Sequence, residues 1–281
     1  MEMYSNIKLI CMDMDGTLLG AGGVIPEINL YALREAARRG IRLALVSGRN
    51  YRFLMKNADE IGPDVAIVSG NGARIDEKVG GKCIYEGLFE PDYARQVCRT
   101  LWETGVYFEI YTESKNYVFN AERISEIHKR SLEMYLKNRQ ILGLEFPKSP
   151  EEATCDGVYK FVAFSDIPGM VERVKQALDE NAIPHASSWW DNVEVMARGV
   201  DKGHAVRILA DHCGIESKDV MAFGDHTNDL SLLSAAGCPV AMENGVDEVK
   251  AVAKIIAPKN TEGGVGRVIL KYVLGMDCPD L

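Results

Sequence analysis

The chain has 281 residues, 47% of them apolar and 26% charged, with a formal net charge of −9. That length suits one large domain or two smaller ones with a core of their own, and the acidic balance argues against non-specific binding to nucleic acid or anionic membranes. No apolar run approaches the ~18 residues of a membrane span, the N-terminus does not read as a secretory signal, and the seven cysteines include no C-x-x-C pair, so the expectation is a cytoplasmic protein with reduced thiols and no zinc spacing.

The first predicted strand, Leu9–Met12, is apolar on both faces, as in a buried parallel sheet. It runs into Asp13-Met14-Asp15-Gly16-Thr17. Alternate strand residues point the same way, so this spacing would set both acids on one side, and the glycine permits the turn. Burying either acid costs several kcal/mol, roughly, unless it is paired or metal-bound. A divalent cation removes that conflict; solvated acids at a strand end are the plain alternative. A helix follows over Pro26–Arg39, then a strand over Ile41–Val46 ending in Ser47-Gly48-Arg49. A second helix covers Asn50–Ile61, and a third strand, Val65–Val68, leads into Ser69-Gly70-Asn71-Gly72. The β-α-β-α-β rhythm predicts a parallel sheet with helices on both faces.

The grammar then changes. Residues 73–77 and 82–86 read as a hairpin, 91–104 as a helix, and 106–112 with 117–120 as antiparallel strands. A charged helical stretch (122–140), a polar loop (147–156), a strand (158–164), a helix (168–180) and a further hairpin (185–190 with 193–197) complete this part. The α/β rhythm resumes at Asp201 and continues to a final helix over Gly264–Leu274. The expected architecture is α/β: a doubly wound, mainly parallel, Rossmann-like core formed by residues 1–82 and 191–281, with an inserted α+β domain over 83–190.

A parallel sheet would bring three polar strand ends to one edge: Asp13/Asp15, Ser47, and Asp225/Asn228/Asp229 in Gly224-Asp225-His226-Thr227-Asn228-Asp229. Lys202, opening a helix, is a natural fourth member. A nucleophile, an acid/base, metal-binding carboxylates and phosphate-neutralising donors are what phosphoryl transfer needs. Each also has a plain reading: Asp225 or Asp229 as a helix cap, Ser47 as an N-cap, Lys202 as a solvated lysine, Arg49 and Asn71 as turn residues.

Taken together, these motifs resemble those of the haloacid dehalogenase-like phosphatases. Asp13-x-Asp15-Gly16-Thr17 is similar to the family's first motif, Ser47 to the second, Lys202-Gly203 to the third, and Gly224-Asp225-x-x-Asn228-Asp229 to the fourth. An insert between the second and third motifs, with Asn71-Gly72-Ala73 before it, resembles the Cof-type sugar-phosphate phosphatases with a large α/β cap. The resemblance implies Mg²⁺ held by Asp13, the main-chain oxygen of Asp15, and Asp225. Asp229 would stand behind them, orienting a ligand or pairing with Lys202. It also implies phosphate-binding by Ser47, the Gly48 N–H, Lys202 and Asn228. Asp13 would be the nucleophile, giving an aspartyl-phosphate, and Asp15 the acid/base, protonated with help from burial and nearby carboxylates. The implied substrate is a small phosphorylated metabolite, with no nucleic-acid or membrane partner. Two departures stand out: His226 lies inside the metal motif, where relatives often have a small residue, and Ala257 stands where threonine is common. Competing readings are a phosphosugar mutase and a phospho-aspartate signalling module.

Overall fold

A computed structural model describes residues 4–112, 115–124, 129, 132–133, 136, 143–153 and 157–279. The chain divides into two compact units, Met1–Glu86 with Val200–Leu281, and Gly87–Gly199. Among the described residues no helix is long and apolar enough to cross a membrane.

The first unit is built on an eight-stranded sheet in the order β13-β12-β11-β1-β2-β3-β4-β5. These strands are β1 (Leu9–Met12), β2 (Arg42–Val46), β3 (Val65–Ser69), β4 (Arg74–Asp76), β5 (Cys83–Glu86), β11 (Val220–Gly224), β12 (Cys238–Met242) and β13 (Ile255–Ala257). The strands from β13 to β3 run parallel, while β4 and β5 are antiparallel. Alternate residues of each parallel strand enter different cores. Ile10, Met12, Leu43, Leu45, Ile67 and Phe223 pack with helices Glu27–Arg38 and Tyr51–Ile61 and the C-terminal helical segment. Leu9, Cys11, Ala44, Ala66 and Ala222 pack with helices Lys202–His212 and Leu230–Ala235. This is the doubly wound arrangement expected.

The strand order places the site. From β1 the chain winds outward through β2 and β3, and when it returns it begins again at β11, on the other side of β1. Connections on the two sides of β1 therefore lead in opposite directions, which opens a crevice at the carboxyl ends of β1 and β11. Asp13 follows β1 directly and Asp225 follows β11 directly. The Asp13 N–H donates to the Phe223 carbonyl at 3.1 Å, which extends that pairing to the first carboxylate.

The second unit holds a five-stranded sheet in the order β10-β9-β6-β7-β8. Its strands are β6 (Tyr107–Thr112), β7 (Asn116–Phe119), β8 (Leu144–Glu145), β9 (Val158–Phe164) and β10 (Asn192–Met196). Helices Pro91–Thr104 and Met170–Glu180 pack with it. Both edges of the insert differ from expectation. Residues 83–86, assigned to the insert, pair with β4 in the first sheet through a bulge at Ile75/Asp76. Residues 191–199, assigned to the core, belong with the second unit, because β10 pairs along its whole length with β9. The short strand β8, within a stretch left without a predicted element, pairs parallel with β7. The helix expected over 122–140 lies largely outside the described residues.

Candidate active site

Asp13, Asp225, Asp229 and Lys202 converge at the carboxyl edge of the first sheet. Lys202 Nζ donates to Asp13 Oδ1 and to Asp229 Oδ1, both at 2.6 Å. It is 1% exposed, and Asp229 is equally buried. Asp229 Oδ2 accepts the N–H groups of Asp225 at 2.9 Å and His226 at 3.1 Å. Asp229 therefore ties the loop after β11 to the start of the lysine's helix, so the pairing expected with Lys202 is present. Asp201 caps that helix by accepting the His204 N–H at 2.7 Å. The two helices touch at their starts, where a Cβ on Gly203 would stand 2.1 Å from the Ser231 carbonyl oxygen.

On the other side, Thr17 Oγ1 donates to Asp225 Oδ1 at 2.7 Å. Gly16 has φ +84°, and a Cβ there would lie 2.2 Å from Asp225 Oδ2. Only glycine satisfies both the backbone and this close approach. Asp13 Oδ2 has no hydrogen-bond donor among the described residues, so the lysine fixes one oxygen of that carboxylate and leaves the other available.

The two acids of the Asp13-x-Asp15 pair occupy different environments. Strand alternation ends at Met12. Beyond it the chain makes one wide turn, in which the Leu18 N–H donates to the Asp13 carbonyl at 3.2 Å and the Leu19 N–H to the Met14 carbonyl at 2.9 Å. Asp13 is buried, whereas the Asp15 side chain is 62% exposed. The burial expected around Asp15 is absent. Its partner is Arg49, whose Nε and Nη2 donate to the two carboxylate oxygens at 2.8 and 2.6 Å. Arg49, which the sequence left open between turn-making and contact, thus faces the acid/base candidate.

Ser47 is buried after β2, and its Oγ accepts the Arg49 N–H at 3.2 Å. The Asn71 N–H donates to the Ser47 carbonyl at 2.9 Å, which joins the ends of β2 and β3. Gly48 and Asn228 are partly exposed. His226 Nδ1 lies 3.2 Å from Thr227 Oγ1. Two contributors were not singled out from the sequence. Thr17 stands in the sequence only as the end of the first motif, though a hydroxyl after an Asp-x-Asp-Gly turn is a natural donor to a second carboxylate. Asn244, whose Nδ2 donates to the Gly16 carbonyl at 2.8 Å, was signalled only by the Asn-Gly dipeptide after β12.

Charge decides what this cluster can hold. Three buried carboxylates present oxygens within 4.8 Å of one another, against the one ammonium of Lys202. Burial, and next the Asp229 charge, push the Asp13 carboxyl well above its usual range, with Lys202 working against them. Burial also pushes Asp225 up to about 7; the Thr17 bond opposes this and Asp229 adds to it. Burial alone would depress Lys202, but Asp13 and Asp229 outweigh it and hold the ammonium above its usual range. Excess buried negative charge on oxygen-only donors fits a hard divalent cation such as Mg²⁺.

In the metal-free protein the raised Asp225 carboxyl couples stability to pH. Asp225 binds its proton more tightly folded than unfolded, so its contribution to stability is present below pH 4 and is lost as pH rises through about 7. Asp225→Asn mimics the protonated form. In chelator it should match the parent near pH 4 and exceed it by roughly 2–4 kcal/mol above pH 7. Urea melts across that range check this; parallel curves would contradict it.

The family model for haloacid dehalogenase-like hydrolase matches residues 10–269. A 5-amino-6-(5-phospho-D-ribitylamino)uracil phosphatase of Bacillus subtilis, YwtE, is 29% identical, with 96% of this chain and 99% of that protein covered. An enzyme of the same name from Escherichia coli, YbjI, is 30% identical over 98% of each chain. Among solved structures, a haloacid dehalogenase-like hydrolase from B. subtilis superposes with a TM-score of 0.81 at 26% identity, covering 94% of this chain and 99% of the other.

Proposed function

The chain belongs to the haloacid dehalogenase-like hydrolases, in their Cof-type phosphatase branch, and from that premise we propose that it is a Mg²⁺-dependent cytoplasmic phosphatase that hydrolyses small phosphomonoesters through Asp13. What carries this reading is the convergence of Asp13, Lys202, Asp225 and Asp229 on one crevice. On this reading the insert, Gly87–Gly199, corresponds to the cap domain of Cof-type phosphatases.

Asp13 Oδ2 attacks phosphorus as the bond to the leaving oxygen breaks, and Asp15 protonates that oxygen. For this to happen Arg49 must yield the Asp15 carboxylate, since its guanidinium occupies both oxygens, and the freed carboxylate must first take up a proton from solvent, the proton it then gives to the leaving oxygen. In the second half, Asp15 takes a proton from water, which attacks phosphorus and releases inorganic phosphate from Asp13. Lys202 holds Asp13 in line and neutralises charge on the transferring group, while the Ser47 hydroxyl and the Gly48 N–H donate to its oxygens. Mg²⁺ would be held by Asp13, Asp225 and the main-chain oxygen of Asp15, and it supplies charge that offsets repulsion between carboxylate and phosphate dianion.

Relatives named for 5-amino-6-(5-phospho-D-ribitylamino)uracil place that compound first in a substrate screen, beside hexose phosphates, nucleotides, flavin mononucleotide and pyridoxal phosphate. The expected result is free phosphate released only with Mg²⁺ present. Isomerised hexose phosphate without free phosphate would establish the mutase instead, and stable labelling of Asp13 without turnover would establish a signalling module.

A further inference from the structure

The loop after β12 takes no part in the chemistry above, yet it holds both halves of the carboxylate cluster. Asn244 Nδ2 donates to the Gly16 carbonyl at 2.8 Å, from 228 residues away in the chain. Asn244 Oδ1 accepts the Asn260 N–H at 2.9 Å, and Asn260 Nδ2 donates to the Leu19 carbonyl at 2.7 Å. Two residues on, the Val246 N–H donates to the Asp225 carbonyl at 2.9 Å. Between them, a Cβ on Gly245 would stand 2.8 Å from the Asp225 carbonyl oxygen. Asn244 is exposed, yet both ends of its side-chain amide are held by the backbone of other segments.

The carbonyl it holds is a sensitive one. Gly16 sits at φ +84°, and a glycine peptide rotates at little steric cost. Rotation there would carry Thr17 with it, and Thr17 Oγ1 is the donor to Asp225 Oδ1. We infer that Asn244 is a positioning residue: by pinning the Gly16 carbonyl it keeps the Asp13–Thr17 turn and Asp225 in a single arrangement suited to a divalent cation and a phosphate. This role rests on the phosphatase reading only for its effect on rate; the ordering of the carboxylates stands apart from it.

Two variants separate the bonds. Asn244→Asp keeps the acceptor for Asn260 and loses the donor to Gly16, whereas Asn244→Ala loses both. Both should lower kcat about 10- to 100-fold at saturating Mg²⁺, with KM within about threefold of the parent. The Mg²⁺ concentration for half-maximal activity should rise about tenfold, and the Mg²⁺-induced increase in melting temperature should shrink. Melting of the metal-free protein should move by no more than about 2 °C, because an exposed hydrogen bond contributes little to folding. Should Asn244→Ala fold poorly, Asn244→Asp carries the same test. Parental kcat and Mg²⁺ response in a folded variant, or a rise in KM with kcat unchanged, would overturn the role. If the parent released no phosphate from any substrate, the phosphatase reading would fall, and the Mg²⁺-induced melting shift would still decide the role of Asn244.

Discussion

Asp13→Asn should lower kcat by at least about four orders of magnitude, yet leave the metal-free protein as stable as the parent or more so. The two effects have one cause. Asp13 is buried beside Asp225 and Asp229, and its carboxyl is pushed well above the usual range, first by burial. An asparagine keeps the shape and still offers Oδ1 to Lys202, while removing one of three crowded charges. Stability is held or gained for that reason. An amide oxygen, however, is too weak a nucleophile for phosphorus at neutral pH, so no covalent intermediate forms. Acid-quenched reactions with labelled substrate should leave phosphate on the parent and none on the variant. Urea melts in chelator at pH 8 supply the second half of the test. A variant that lost activity together with several kcal/mol of stability would show that Asp13 works mainly as a structural residue. Turnover within tenfold of the parent would remove it as nucleophile.

How far such residues can be read from the chain varies with the kind of interaction that places them. Leu9–Met12 and Val220–Gly224 are legible as central strands because both faces are buried, which leaves continuous apolar runs. Their abrupt ends in Asp13 and Asp225 then mark the crevice without further information. The two-sided winding is written in the alternation of large and small residues: Leu43, Leu45, Ile67 and Phe223 face one helix layer, and Ala44, Ala66 and Ala222 the other. What could not be read depends on partners distant in sequence. Cys83–Glu86 and Asn192–Met196 are good strand sequences on either reading, and only their pairing with β4 and β9 assigns them to a unit. Asp15 looks like the twin of Asp13, but the turn after Met12 breaks the alternation and leaves it to Arg49. Asn244 has no local signature beyond the Asn-Gly dipeptide, because the bond it makes is to a backbone carbonyl 228 residues away.

Lys202→Met tests the cluster from the side of its cation. Methionine is close to lysine in length and apolar, so it fills the same space and opens no cavity; what it removes is the charge. Lys202 is 1% exposed and donates to two carboxylates at 2.6 Å. Without it, Asp13 and Asp229 are buried anions lacking their counter-charge. Breaking a buried pair in this way costs about 3–5 kcal/mol, and that loss should appear in metal-free protein at pH 8. The sign of the pH dependence identifies the cause. Burial already makes Asp13 bind its proton more tightly folded than unfolded, and losing the ammonium that opposes this strengthens the effect. The stability linked to that proton is therefore present at acid pH and lost as pH rises. Parent and variant should converge toward pH 5 and separate toward pH 8. A second change, Asp229→Asn in the same chain, keeps one oxygen for the N–H groups of Asp225 and His226 while removing a charge, so it should restore much of the lost stability. Turnover should stay absent in both, since no ammonium faces the transferring phosphoryl group. A loss equal at both pH values would mean that packing, rather than charge, governs the site. Recovery of activity along with stability in the double variant would show that Lys202 serves the fold and not the chemistry.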